Sequence, residues 1–191
     1  MKILFGILAI VAVLVVVSWK FSRFGYESAS YTLVEKDGPF EIRQYPELTL
    51  VSTATDSSDP EGDGAFMRLF RYIAKDNADE QKIAMTTPVF MTSGENGSMS
   101  FVVPEDVAKG GAPAPKSSNV KLTSRSPGKV AAYRYSGSWQ EEKRAAARKK
   151  LASWVTEKGY TSSGDYYSAG YDPPFTPGFL RRNEVLVRLS D

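Results

Sequence analysis

The chain has 191 residues, 42% of them hydrophobic, with 24 Lys and Arg against 22 Asp and Glu and neither Cys nor His. Setting aside Lys2 and Lys20 leaves 22 of each sign, so the rest of the chain lacks the basic field a nucleic-acid binder needs. Without Cys or His there is no disulfide, thiol nucleophile, imidazole metal site or usual serine triad.

Residues 1–21 are dominated by the unbroken apolar run Ile3–Val17, framed by Lys2 and by Trp19 and Lys20. As a helix extended to Phe21 it reaches about 28 Å, close to a hydrocarbon core of about 30 Å, with Trp19 at the interface and Lys20 snorkelling. The segment reads as a single-pass membrane anchor holding an exported domain. A cleaved secretory signal is the rival, which would leave a secreted form. Residues 22–30 read as a linker, and residues 31–191 as one domain.

Beyond Tyr31 the pattern alternates between strand and helix. Phe40–Tyr45 and Leu48–Thr55 are β-rich and follow the turn Asp37-Gly38-Pro39. Asp63 is placed to cap a helix whose positions Phe66, Leu69, Phe70 and Ile73 form an apolar stripe, leaving Met67 and Arg71 off it. Ile83–Met91 and Ser98–Val103 read as strands joined by the hairpin signal Asn96-Gly97. Gly110–Ser118 is loop. Val120–Arg125 and Val130–Ser136 flank Ser126-Pro127-Gly128, and Ser138 with Glu141 has capping-box spacing. The following helix points Ala147, Leu151, Trp154 and Val155 inward and ends near Gly159. Tyr166–Tyr171 and Glu184–Leu189 close the chain as strands. The order β-β-α-β-β thus occurs twice, which predicts an α+β fold: a distorted antiparallel barrel or curled sheet, two helices, and a pseudo-twofold repeat.

Asp59–Gly64 begins like a calcium loop, but its twelfth position is Phe70 and no helix precedes it. The cluster Lys143, Arg144, Arg148, Lys149 and Lys150 reads as a solvated helix face, with an anionic bilayer as the sharper alternative. Glu41 and Glu184 are carboxylates without a readable partner; a buried carboxylate of raised pKa would favour an enzyme.

Four segments in order, Phe40-Glu41-Ile42-Arg43-Gln44-Tyr45-Pro46, Lys82-Ile83-Ala84-Met85-Thr86-Thr87-Pro88-Val89, Tyr166-Tyr167-Ser168-Ala169-Gly170-Tyr171 and Arg182-Asn183-Glu184-Val185, resemble the SOUL/heme-binding protein family. The resemblance covers Tyr31 to Asp191. It implies a distorted barrel with two helices and non-catalytic binding of heme, another tetrapyrrole or a similar apolar small molecule. Some relatives place a histidine in the first segment, where this chain has Gln44, so any heme here is held without His ligation. By position the resemblance points to Met67, Phe70 and Arg71 on the first helix and to Tyr171, Phe175, Phe179 and Arg181 before the last strand. A porphyrin requires what such residues offer, a flat apolar face and cations for its propionates. The competing reading is a membrane-anchored interaction or structural domain that has lost heme.

Overall fold

A computed structural model describes residues 26–55, 63–94, 96–173 and 175–190. The apolar run Ile3–Val17 and most of the calcium-like turn lie outside them. Among the described residues no helix is long and apolar enough to cross a membrane.

The elements in chain order are β1 (Glu27–Ser28), β2 (Thr32–Asp37), β3 (Phe40–Tyr45), β4 (Leu48–Ala54), α1 (Asp63–Ile73), β5 (Thr86–Thr87), β6 (Val89–Met91), β7 (Ser98–Val102), α2 (Glu105–Lys109), β8 (Val120–Arg125), β9 (Gly128–Tyr135), α3 (Glu141–Glu157), β10 (Ser162–Gly170) and β11 (Asn183–Leu189), with a 3₁₀ turn at Gly178–Leu180. Nine strands form one antiparallel sheet in the order β2-β3-β9-β11-β10-β6-β7-β4-β8. β1 and β5 form a separate parallel pair.

The α+β class holds, while three details differ from expectation. The sheet is not closed into a barrel: β2 and β8 are its two edges. A third, short helix, α2, follows Pro104. The expected strand Ile83–Met91 is split, because Pro88 lacks an N–H for the ladder; Thr86–Thr87 pair with β1 and Val89–Met91 with β7 and β10. Glu27 to Ala29, within the stretch read as linker, join the fold through β1 and the bond from Ala29 N to the Thr87 carbonyl.

Alternation along each strand sorts side chains onto two faces. Tyr45, Leu50, Phe90, Val130, Ala132, Tyr167, Ala169 and Leu186 share the inner cluster. Their neighbours Val51 and Phe101 pack under α1 with Leu69, Tyr72 and Ile73. Ile42, Ala131, Val185 and Val187 pack under α3 with Ala147, Leu151, Trp154 and Val155, the four residues expected inward.

Curvature can be measured from the inner face. Arg125 stands on edge strand β8 and Tyr167 on β10, four strand spacings apart, or about 19 Å in a flat sheet. The Arg125 guanidinium nevertheless lies 4.3 Å from the Tyr167 ring centre and 4.4 Å from that of Phe90. The sheet therefore curls until β8 faces β10.

A second set of inner residues is charged. Arg43 Nη1 and Nη2 donate to Glu184 Oε2 and Oε1 at 2.6 and 2.9 Å, a bidentate pair with the arginine 1% and the glutamate 0% exposed. The pair crosses β9 diagonally, and Ala132, registered with both Glu41 and Leu186, sits at its midpoint. Glu41 accepts from Arg43 Nε at 2.8 Å, and Arg182 donates to Glu184 Oε1 at 2.7 Å. Burial by itself would raise the Glu184 carboxyl, but the Arg43 bonds and charge, with Arg182, hold it below the ordinary carboxylate range.

Breaking a buried pair leaves one uncompensated charge, at a cost of about 3–5 kcal/mol. Glu184→Gln should therefore lower unfolding free energy by about 3 kcal/mol in urea titration, and Arg43→Met with Glu184→Leu should cost less than the two single changes summed. Because the folded carboxyl titrates below the unfolded one, its contribution is complete above about pH 4.3 and fades as pH falls further. Glu184→Gln should accordingly flatten the acid limb of the stability curve. The capping box is absent: α3 starts after Gln140 with no side-chain cap. Ser138→Ala should then change thermal stability negligibly, against about 1 kcal/mol for loss of a working cap.

Candidate functional site

The connection from β10 to β11 carries four of the seven residues singled out from the sequence, and it is fixed at both ends. Tyr171 N donates to the Arg182 carbonyl and Arg182 N to Asp172 Oδ2, closing the loop's neck. Inside, Thr176 N bonds to the Pro173 carbonyl, Arg181 N to that of Gly178, and Arg181 Nε to that of Thr176 at 2.7 Å. Gly137 N donates to the Gly178 carbonyl at 3.0 Å, tying the loop to the β9–α3 turn. That turn is itself held by Asn183 Nδ2, which donates to the Gly137 carbonyl at 2.8 Å. Glycine is needed at 170, where a Cβ would stand 2.7 Å from the Trp139 ring.

On this pinned loop Phe175 is 84% and Phe179 78% exposed. Apolar rings held in water by a well-bonded loop require a reason.

The loop is continuous with the buried ion pair. Tyr171 Oη donates to Glu184 Oε2 at 2.9 Å, and the Arg182 guanidinium lies 3.9 Å over the Tyr171 ring. Burial, followed by the Glu184 charge, pushes the Tyr171 phenol well above its usual value. Tyr171 is thus a neutral donor committed to the network. Burial likewise pushes Tyr45 up to about 12. Neither phenol is poised to act as a tyrosinate.

The other three residues lie on α1. Met67 is 45% and Phe70 43% exposed, and Arg71 is exposed. Phe70 was also expected on the buried stripe, and that part is corrected: Ala65, Leu69, Tyr72 and Ile73 fill the sheet-facing side. Phe70 instead stacks outward on Phe66, ring centres 6.1 Å apart, while Phe66 meets Phe101 edge-on at 5.3 Å. The α1 group and the loop group thus stand on separate elements, α1 and the β10–β11 connection. Gln44 donates to the Tyr45 carbonyl at 3.3 Å. No cluster of three or more His, Cys, Asp or Glu able to hold a metal occurs among the described residues.

Two open grooves flank the sheet. One, of about 510 Å³, includes Ser52, Thr53, Arg68, Asn119 and Lys121. The other, of about 460 Å³, runs between α3 and Phe40. Sequence reasoning missed the Arg43–Glu184–Tyr171 network, although its signal was present. Arg43 and Glu184 each occupy the inner phase of an alternating strand.

The family model described as SOUL heme-binding protein matches residues 26–188. Heme-binding protein 1 of Mus musculus is 32% identical over 130 residues, covering 63% of this chain and 67% of the mouse protein. Heme-binding protein 2 of Homo sapiens is 30% identical over 159 residues, covering 78% and 77%. Among solved structures, the EcmrR chain of a cryo-EM DNA complex superposes with TM-score 0.59 at 12% identity over 84% of this chain, which spans 58% of that one. A hydrolase encoded by lin2189 of Listeria innocua gives 0.57 at 12% identity, covering 79% and 91%. These two likenesses concern the fold alone. The match along residues 26–188, together with relatives at 30% identity or above over two thirds of their length, shows that the chain belongs to the SOUL heme-binding protein family.

Proposed function

We propose that this chain binds heme or a related tetrapyrrole without catalysing a reaction, on the surface offered by the β10–β11 loop and the outer face of α1. The observation that carries the reading is the distribution of exposed large apolar residues. Four of the seven among the described residues are Met67, Phe70, Phe175 and Phe179. A porphyrin buries a flat hydrocarbon face and presents two carboxylates, and in this reading Arg71 and Arg181 meet them. The bonded loop keeps its rings in place before the ligand arrives, lowering the ordering cost of binding.

These residues fit a heme held by apolar contact. They offer no imidazole, and the Tyr171 phenol is already engaged by Glu184. The non-catalytic reading is supported by Glu184 itself, whose carboxylate is held charged by Arg43 and Arg182. The names of the mouse and human relatives agree with it.

The binding takes place in a membrane setting. Residues 3–21 anchor the chain in a bilayer with the domain on the exported side, so capture, buffering or transfer of the tetrapyrrole takes place at a membrane surface. A pseudo-twofold repeat of the β-β-α-β-β order is part of the same reading, and strand order supports it. Exchanging β3 with β8, β4 with β9, β6 with β10 and β7 with β11 reverses the order from β3 to β8 onto itself.

The test is titration of the full chain, in zwitterionic lipid nanodiscs, with hemin and with metal-free protoporphyrin, against empty nanodiscs. Both should saturate with similar micromolar or weaker affinity. Phe175→Ala or Phe179→Ala should weaken each about tenfold, the value of one buried aromatic side chain, and Gln44→Ala should change neither. Binding of hemin alone would show a true iron ligand. Binding of neither would turn the reading toward an interaction domain.

A further inference from the structure

The groove on the α3 side of the sheet shares no lining residue with α1 or with the β10–β11 loop. Its floor belongs to an aromatic row on the outer face. Tyr135 and Tyr133 stack with centres 6.3 Å apart at 12°, Tyr133 and Phe40 lie 4.7 Å apart, and Phe40 and Trp154 stack at 5.0 Å and 10°. The Trp154 ring is held in orientation by its Nε1 donating to Asp37 Oδ2 at 3.1 Å. Phe40, Tyr133 and Tyr135 remain half-buried, so the row is reached by solvent along much of its length.

Above the floor, α3 presents Ala146, Lys149, Lys150 and Glu157 to the groove. Of the other α3 cations, Lys143 lies toward Gly137 and does not line the groove, Arg144 and Arg148 reach Glu141, and Lys158, just beyond the helix, reaches Glu35 and Asp37. Lys149 and Lys150 are exposed, and among the described residues no carboxylate lies within ion-pair distance of either. Lys150 Nζ stands 5.8 Å from the Tyr133 ring centre. Lys149 and Lys150 outnumber Glu157 among the charges that line the groove, and Ala146 leaves the approach to the rings clear, so the groove suits one ligand chemistry in shape and in net charge.

We propose that this groove is a second binding site, for a planar polycyclic aromatic molecule bearing acidic groups. The ring system would lie against Phe40 and the lysine stems, and its carboxylates or sulfonates would be met by Lys149 and Lys150. A phosphate or citrate ion has the charge and lacks the flat apolar face; a neutral arene has the face and lacks the charge. The site stands independently of the tetrapyrrole surface described above.

Pyrene-1,3,6,8-tetrasulfonate is a suitable probe because it is planar, fluorescent, anionic and does not enter lipid. Its anisotropy on addition of the full chain in zwitterionic nanodiscs should rise saturably. Lys149→Glu with Lys150→Glu, both surface positions, should weaken binding tenfold or more. Lys121→Glu in the other groove, and Phe175→Ala and Phe179→Ala in the loop, should leave it unchanged. Citrate at matched ionic strength should not displace the probe. Absence of binding, retention of affinity in the double lysine variant, equal competition by citrate, or loss of binding in the loop variants would each overturn the proposal.

Discussion

Two charges that are both withdrawn from water, on Arg43 and Glu184, constrain everything around them. Separating them would cost about 3–5 kcal/mol, which favours the arrangement that keeps β3 and β11 in one register across β9. The small Ala132 between them and the bidentate geometry are what allow a diagonal pair to span two strand spacings. The pair is not a dead end within the core. Through Tyr171 and Arg182 it extends to the neck of the loop that carries Phe175 and Phe179. Stability of the sheet and position of the exposed rings thus depend on the same carboxylate.

On the β8 side of the inner face other side chains bridge the strands. Arg125 reaches across to the rings of Phe90 and Tyr167, and Arg188 Nη1 donates to the Ser126 carbonyl at 2.9 Å. Side chains, and not a final ladder of backbone hydrogen bonds, bring the sheet round on itself. The fold therefore has the dense interior of a small barrel while β2 and β8 remain edges. The β2 edge carries a register shift between Leu33 and Glu35 and an ion pair from Lys36 to Glu41. Both features discourage further strand pairing.

Much of this was legible in the sequence because period and punctuation are local properties. β3 and β8 have the expected bounds, and the inward residues of α3 are those its spacing indicated. What was not legible depends on distant partners. Ser138 has capping-box spacing, yet the β9–α3 turn is used to hold the loop at Gly178, so α3 starts later. Phe70 fits a helical stripe, yet Leu69 and Tyr72 already occupy the sheet-facing side. Arg43 and Glu184 are 141 residues apart, and only the inner phase that each occupies marks them as candidates for pairing. Closure failed as an expectation because it turns on whether two edge strands meet, which no single segment encodes. The exposure of Phe175 and Phe179 follows from their Pro- and Gly-rich setting.

The proposed tetrapyrrole surface combines a loop bonded at both ends with the outer face of α1. Hydrogen–deuterium exchange of the full chain, with and without metal-free protoporphyrin, tests it most directly, because protection is read segment by segment and needs no substitution. Slowed exchange concentrated at residues 171–182 and 66–72 is the expected result. Slowed exchange confined to other parts of the sheet, with those two segments unchanged at saturating ligand, would contradict it.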